Sequence, residues 1–164
     1  MTIADSLINE LERESAATLK LLDRVPADKL DWRPHPKSMT LGELAWHIAS
    51  LPRVVASSVE AGKFDVGNAR PAQTRDSDDF SERLKGSVAE AKRIIESFDD
   101  DAIKQPFSFM RGDQVLRAIP RYGALRSVLL NHTYHHRGQL TVYLRLLDVP
   151  LPATYGTSAD ESTF

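Results

Sequence analysis

The chain contains no cysteine. Disulfides, thiolate metal sites and a cysteine nucleophile are therefore excluded, and the core must hold by packing alone. It also lacks an excess of either charge. Twenty-one lysines and arginines stand against 23 acidic residues, a net of −2, with the signs mixed along the chain. Nucleic-acid surfaces carry a basic stripe or patch, so no nucleic-acid partner is expected. No apolar run approaches the ~18 residues that a spanning helix needs. Met1-Thr2-Ile3-Ala4-Asp5 lacks the basic and apolar regions of a signal peptide. These absences point to a cytoplasmic protein with small-molecule or protein partners and no membrane association. What is present, 164 residues at 41% hydrophobic and 27% charged, fits one globular domain over residues 1–164, long enough to bury a core without staples.

Four stretches carry helical periodicity. Ile3, Leu7, Leu11, Thr18 and Leu22 recur at three- and four-residue steps, behind a Thr2/Asp5 capping box. A turn-rich segment, Arg33 to Ser38, precedes a second capping box, Thr40/Glu43. Leu44, Ile48, Leu51, Val55 and Val59 then form one face of a helix that ends near Gly62, with Pro52 expected to bend it. Residues 62–78 read as a loop. Phe80, Leu84, Val88, Ala91, Ile95 and Phe98 form an unbroken third stripe. Over residues 102–122, Phe107 and Phe109 alternate with smaller residues before Arg111-Gly112-Asp113. That pattern fits a short hairpin near 107–119, with an irregular loop as the other reading. A fourth helix spans about Gly123 to Leu147. The economical architecture is all-α, a four-helix bundle with long loops.

The last helix carries Asn131-His132-Thr133-Tyr134-His135-His136-Arg137-Gly138-Gln139. At ~100° per residue, Leu125, Leu129, His132, His136, Tyr143 and Leu147 fall within roughly 40° of one direction. His132 and His136 are thus stacked one turn apart on the buried stripe. A buried imidazole without a partner is costly, and one metal ion satisfies both rings, since side chains at i and i+4 converge on one centre. Each ring bonded separately to a carbonyl or hydroxyl is the plainer alternative. His135, at about 80° to the stripe, could replace one of the pair or lie at an interface. For a third ligand, His47 sits near the core edge of the second helix, and by itself it reads equally as a structural histidine. His35, between two prolines, is a poorer candidate. Glu43 could orient the His47 ring or serve only its cap.

Two longer motifs carry a family resemblance. Arg33-Pro34-His35-Pro36-Lys37-Ser38-Met39-Thr40-Leu41-Gly42-Glu43-Leu44-Ala45-Trp46-His47-Ile48 resembles the front half of the DinB family pattern, and His132 through Arg145 its back half. The tail from Val149 to Glu161 resembles the ending of one branch, departing from it at Thr157, where proline is expected. The resemblance spans nearly the whole chain. It implies a four-helix bundle, commonly a homodimer, in which one histidine of the second helix and two of the last hold a divalent metal: His47, His132 and His136.

Three imidazoles leave positions open on an ion, as catalytic sites do, and zinc and nickel both suit imidazole. The resemblance implies relatives in the wider superfamily that include thiol-cofactor transferases and isomerases, in which the metal activates an external low-molecular-weight thiol. The expected function is therefore a metal-dependent thiol transferase or hydrolase acting on a small electrophile in stress or detoxification. A second expectation, from another class, is a non-catalytic metal-stabilised or metal-sensing dimer. Its contact surface would be the outer face of the last helix, where Ser127, Tyr134, Gly138, Thr141 and Arg145 project away from the expected core. Glu43, Asp113, Asp160 and Glu161 are the acids available as a general base, and the sequence selects none of them. Residues 102–122 and the tail at Tyr155 to Glu161 are the segments expected to line the opening or cover the surface.

Overall fold

A computed structural model of the chain describes residues 1–68 and 79–162. The protein is mostly helical, with a small three-stranded sheet. Helix α1 (Ile3–Leu22) starts at a complete capping box, the Thr2 hydroxyl accepting from the Asp5 N–H and the Asp5 carboxylate from the Thr2 N–H. Helix α2 (Leu41–Glu60) starts the same way, with Thr40 and Glu43, and continues through Pro52. Strand β1 (Lys63–Asp65) follows. Residues 69–78, the rest of the expected loop, lie outside the described residues.

Helix α3 (Phe80–Glu96) begins at Asp79, whose carboxylate accepts from the Glu82 N–H. Strands β2 (Pro106–Arg111) and β3 (Gln114–Pro120) form the expected hairpin. Gly112, at φ 57°, opens its two-residue turn, where the positive angle costs a glycine nothing. Strand β1 adds to β2 in parallel, pairing Phe64 with Phe109. The sheet thus has a third strand in a stretch whose composition reads as loop.

The final helical run has three continuous parts. They are α4 (Arg121–Ala124), a π-helical stretch (Leu125–Leu130) and α5 (Asn131–Leu146). Helix α2 lies against α3 and α5, and α1 lies against the same two. Their apolar faces form two clusters. One gathers Leu7, Leu11, Leu51, Val55, Ile94, Phe107, Leu125 and Leu129, with Phe64, Phe109 and Ile119 bringing in the sheet. The other gathers Leu21, Leu41, Leu44, Ile48, Leu84, Leu140, Tyr143 and Leu144. Trp32 meets Tyr143 edge-on at 5.7 Å, and the Tyr143 hydroxyl donates to the Met39 carbonyl at 3.2 Å. Those contacts hold the turn-rich segment before α2 against α5. Among the described residues no helix is long and apolar enough to cross a membrane.

Candidate metal centre

Both clusters run through α2 and α5, and the boundary between them crosses each helix at its histidines. On α2, Leu44 and Ile48 belong to one cluster and Leu51 and Val55 to the other, with His47 between Leu44 and Leu51. On α5, His132 and His136 lie between Leu129 and Leu140 in the same way. The capping box at Thr40 fixes the start of α2 and so the phase of its apolar stripe. His47 and His132 are half-buried, and His136 is buried at 8% exposure.

The three rings meet. Ring centroids are 5.2 Å apart for His47 and His132, 4.5 Å for His47 and His136, and 4.5 Å for His132 and His136. One nitrogen from each lies within 4.8 Å of the other two, and among the described residues this is the group of side chains that could hold a metal ion. Two nitrogens each 2.0–2.1 Å from one zinc are separated by at most roughly 4 Å, so small ring rotations suffice. His132 Nε2 and His136 Nε2 are 2.7 Å apart. On its far side, His136 Nδ1 is 2.7 Å from Gln139 Oε1.

Burial holds all three imidazoles below their ordinary pKa. For His47, desolvation is the first cause and the nearby His136 and His132 add to it, bringing it to about 4. Desolvation is also the first cause for His132, partly offset by the Val128 backbone carbonyl, and for His136, partly offset by Gln139. Neutral imidazole is the form that ligates metals. Among the described residues no carboxylate joins the group. The donor set therefore fits a divalent ion with a position left open for water or a substrate atom.

The other expected residues lie elsewhere. His35 is exposed, its Nδ1 accepting from the Lys37 N–H at 3.1 Å. His135 is exposed beside His136, with ring centroids 4.9 Å apart, and stands outside the cluster. The Glu43 carboxylate accepts from the Thr40 N–H at 2.7 Å, which is its capping role. Asp113 sits exposed in the hairpin turn. Asp160 and Glu161 bind the tail down. Asp160 pairs with Arg145 at 2.5 Å and accepts from the Leu151 N–H, while Glu161 pairs with Arg24 at 2.5 Å and accepts from the Ala153 N–H.

Sequence reasoning missed a second polar cluster behind the histidines. Arg137 and Glu14 are both buried, at 4% and 5% exposure, and pair at 2.8 Å. Arg137 also donates to the Glu14 backbone carbonyl at 3.0 Å and to Thr18 Oγ1 at 3.3 Å. The Tyr155 hydroxyl bonds both the guanidinium and the Glu14 carboxylate. Burial alone would raise the Glu14 pKa, but the Tyr155 hydroxyl and Arg137 outweigh it and hold the carboxyl below its ordinary value. The available signal was Glu14 itself, on the same stripe as Leu7, Leu11 and Thr18. A carboxylate on an apolar stripe requires a buried cation.

On the outer face of the last helix, Ser127, Gly138 and Arg145 are exposed as expected, and part of that face is engaged within the chain. The Tyr134 hydroxyl donates to Glu10 of α1 at 2.5 Å, and Arg145 holds Asp160 of the tail. The buried stripe keeps Leu125, Leu129, His136 and Tyr143 of the expected set and widens to take in Thr133, Arg137, Leu140 and Leu144. The helix opens on the π-helical stretch, in which each hydrogen-bonded turn holds one more residue than in an α-helix.

This fold and this motif have relatives. The family model of the DinB superfamily matches residues 10–140, a span that contains all three histidines. YrdA of Bacillus subtilis, an uncharacterized protein, is 26% identical over 157 residues, covering 96% of this chain and 90% of that protein. The crystal structure of a DinB-like protein of Bacillus subtilis, YjoA, is similar with a TM-score of 0.70 at 21% identity, over 91% of this chain and 96% of that one. A DinB-like protein of Bacillus cereus gives a TM-score of 0.69 at 23% identity, over 92% of this chain and 97% of that one.

Proposed function

The chain belongs to the DinB superfamily, and from that premise we propose a metal-dependent transferase or hydrolase in which His47, His132 and His136 hold one divalent ion, zinc or nickel. The observation that carries this reading is the convergence of three neutral imidazoles with no carboxylate among them. A divalent ion there supplies Lewis acidity, bringing the pKa of a thiol or water toward neutrality. The chain's own contribution is to bind that ion through three rings and to orient His136 through Gln139. Apolar side chains flank the rings along both helices and keep water from those sides. The substrate class is a small electrophile attacked by a low-molecular-weight thiol or by water, in stress or detoxification. The protein acts as a single-domain, four-helix-bundle homodimer in the cytoplasm.

A second reading, a non-catalytic metal-stabilised or metal-sensing dimer, is favoured by one feature of α5. Val142 and Leu146 are one turn apart and 57% and 58% exposed, an apolar pair without cover in the single chain.

Metal analysis of purified, untagged protein beside the His132→Ala/His136→Ala variant separates these readings, with thermal unfolding of both. The expected result is near-stoichiometric zinc or nickel in the parent and none in a variant that remains folded. Metal loss together with unfolding would move the assignment to the structural dimer. Equal trace metal in both proteins would overturn the metal site.

A further inference from the structure

We infer that Gln139 is a positioning residue of the histidine centre, holding His136 in the tautomer that turns Nε2 toward the other two rings. The inference rests on the metal reading above and deepens it. A neutral imidazole carries one N–H and one lone pair. A histidine on a helix therefore presents either a donor or an acceptor, depending on what its other nitrogen meets. An amide oxygen can only accept, so the 2.7 Å contact between Gln139 Oε1 and His136 Nδ1 places the proton on Nδ1. The lone pair is then on Nε2, the atom that faces His132.

On its other side, His136 Nε2 lies 2.7 Å from His132 Nε2. With the His136 proton held on Nδ1, its Nε2 lone pair faces that ring and is ready to accept a proton from it or to bind a cation. Gln139 thus preorganises the His136 end of a cation site, and its side chain is a part that mutation can remove. The position is legible in the chain as well: Gln139 lies three residues after His136, on the same side of one helical turn.

The test is zinc affinity, by competition against a chromophoric chelator, for the parent, Gln139→Leu and Gln139→Glu. Alongside it, ¹⁵N-detected imidazole NMR of each metal-free protein reports the tautomer. Gln139→Leu should bind zinc ~10–100-fold more weakly, the usual effect of losing the acceptor behind a ligating histidine. Gln139→Glu retains an acceptor and should bind at least as tightly as the parent. The NMR should show Nδ1–H on His136 in the parent and in Gln139→Glu, and a mixture or Nε2–H in Gln139→Leu. Parental zinc affinity and an unchanged His136 tautomer in Gln139→Leu would overturn the inference. If the parent itself binds neither zinc nor nickel, the metal reading fails, and the tautomer comparison alone still decides the role of Gln139.

Discussion

Glu14→Ala should destabilise the protein by about 3–5 kcal/mol, the usual cost of breaking a buried ion pair from one side. The variant leaves the Arg137 guanidinium 4% exposed, stripped of its carboxylate and still touching the Glu14 backbone carbonyl and Thr18. At roughly 2–4 °C of melting temperature per kcal/mol for a chain of this size, the shift is easily measured. The informative comparison is Glu14→Leu combined with Arg137→Met. A buried pair replaced by apolar residues of similar volume is often neutral in stability, so the double variant should recover most of the loss. Tyr155→Phe removes the hydroxyl that joins the pair to the tail and should cost less than either charge deletion. A Glu14→Ala protein that melts with the parent would show that water reaches Arg137 and that the pair is not a buried one.

Acidification of the metal-free protein should produce the second large effect. The folded state depresses the pKa of His47 to about 4, and those of His132 and His136 also fall. The unfolded chain titrates near 6.5. Below that value the unfolded state binds more protons, so stability rises with pH through this window. It is complete above about pH 6.5 and lost as pH falls toward 4, by about 2 kcal/mol for His47 once the screening of its half-open ring is allowed for. Carboxylates titrate in the same range, and a His47→Ala/His132→Ala/His136→Ala variant, which lacks all three rings, is the control that retains them. The difference between the two melting profiles should open between pH 6.5 and 4, and parallel profiles would refute the prediction. Saturating zinc should raise the melting temperature near neutral pH and have little effect at pH 4, because protons compete for the same nitrogens.

Much of the fold could be read from local chemistry. The Thr2/Asp5 and Thr40/Glu43 capping boxes set two helix starts, because a hydroxyl and an acid three residues apart satisfy otherwise unpaired N–H groups. The hairpin could be read from Phe107, Phe109 and the Gly112-Asp113 turn. The His132/His136 pair was visible because two stacked imidazoles on a buried stripe need a common partner. The position of His47 beside them depended on the family pattern, since a single histidine at a core edge has no such signature. Strand β1 escaped because three residues carry no periodicity and its partner β2 is more than forty residues away. The Arg137–Glu14–Tyr155 cluster escaped because Arg137 and Tyr155 alone read as surface, and the one signal, Glu14 on the apolar stripe of α1, names no partner. The full width of the buried stripe on the last helix escaped because Thr133 and Arg137 are polar and carry no hydrophobic signal.

The π-helical stretch at Leu125–Leu130 makes the protein unusually tolerant of length at one place. Its wide turn already absorbs one residue more than an α-helix needs. A single-residue deletion within Leu125–Leu130 would let the backbone close into a regular α-helix while keeping the phase of the two ends, so Leu125 could stay in its core with His132 and His136 still turned toward His47. The same deletion further along, within Asn131–Leu146, has no wide turn to absorb it. There it would rotate everything before it against everything after it by about 100°, and the histidine half of the helix would lose its alignment with Leu140 and Leu144.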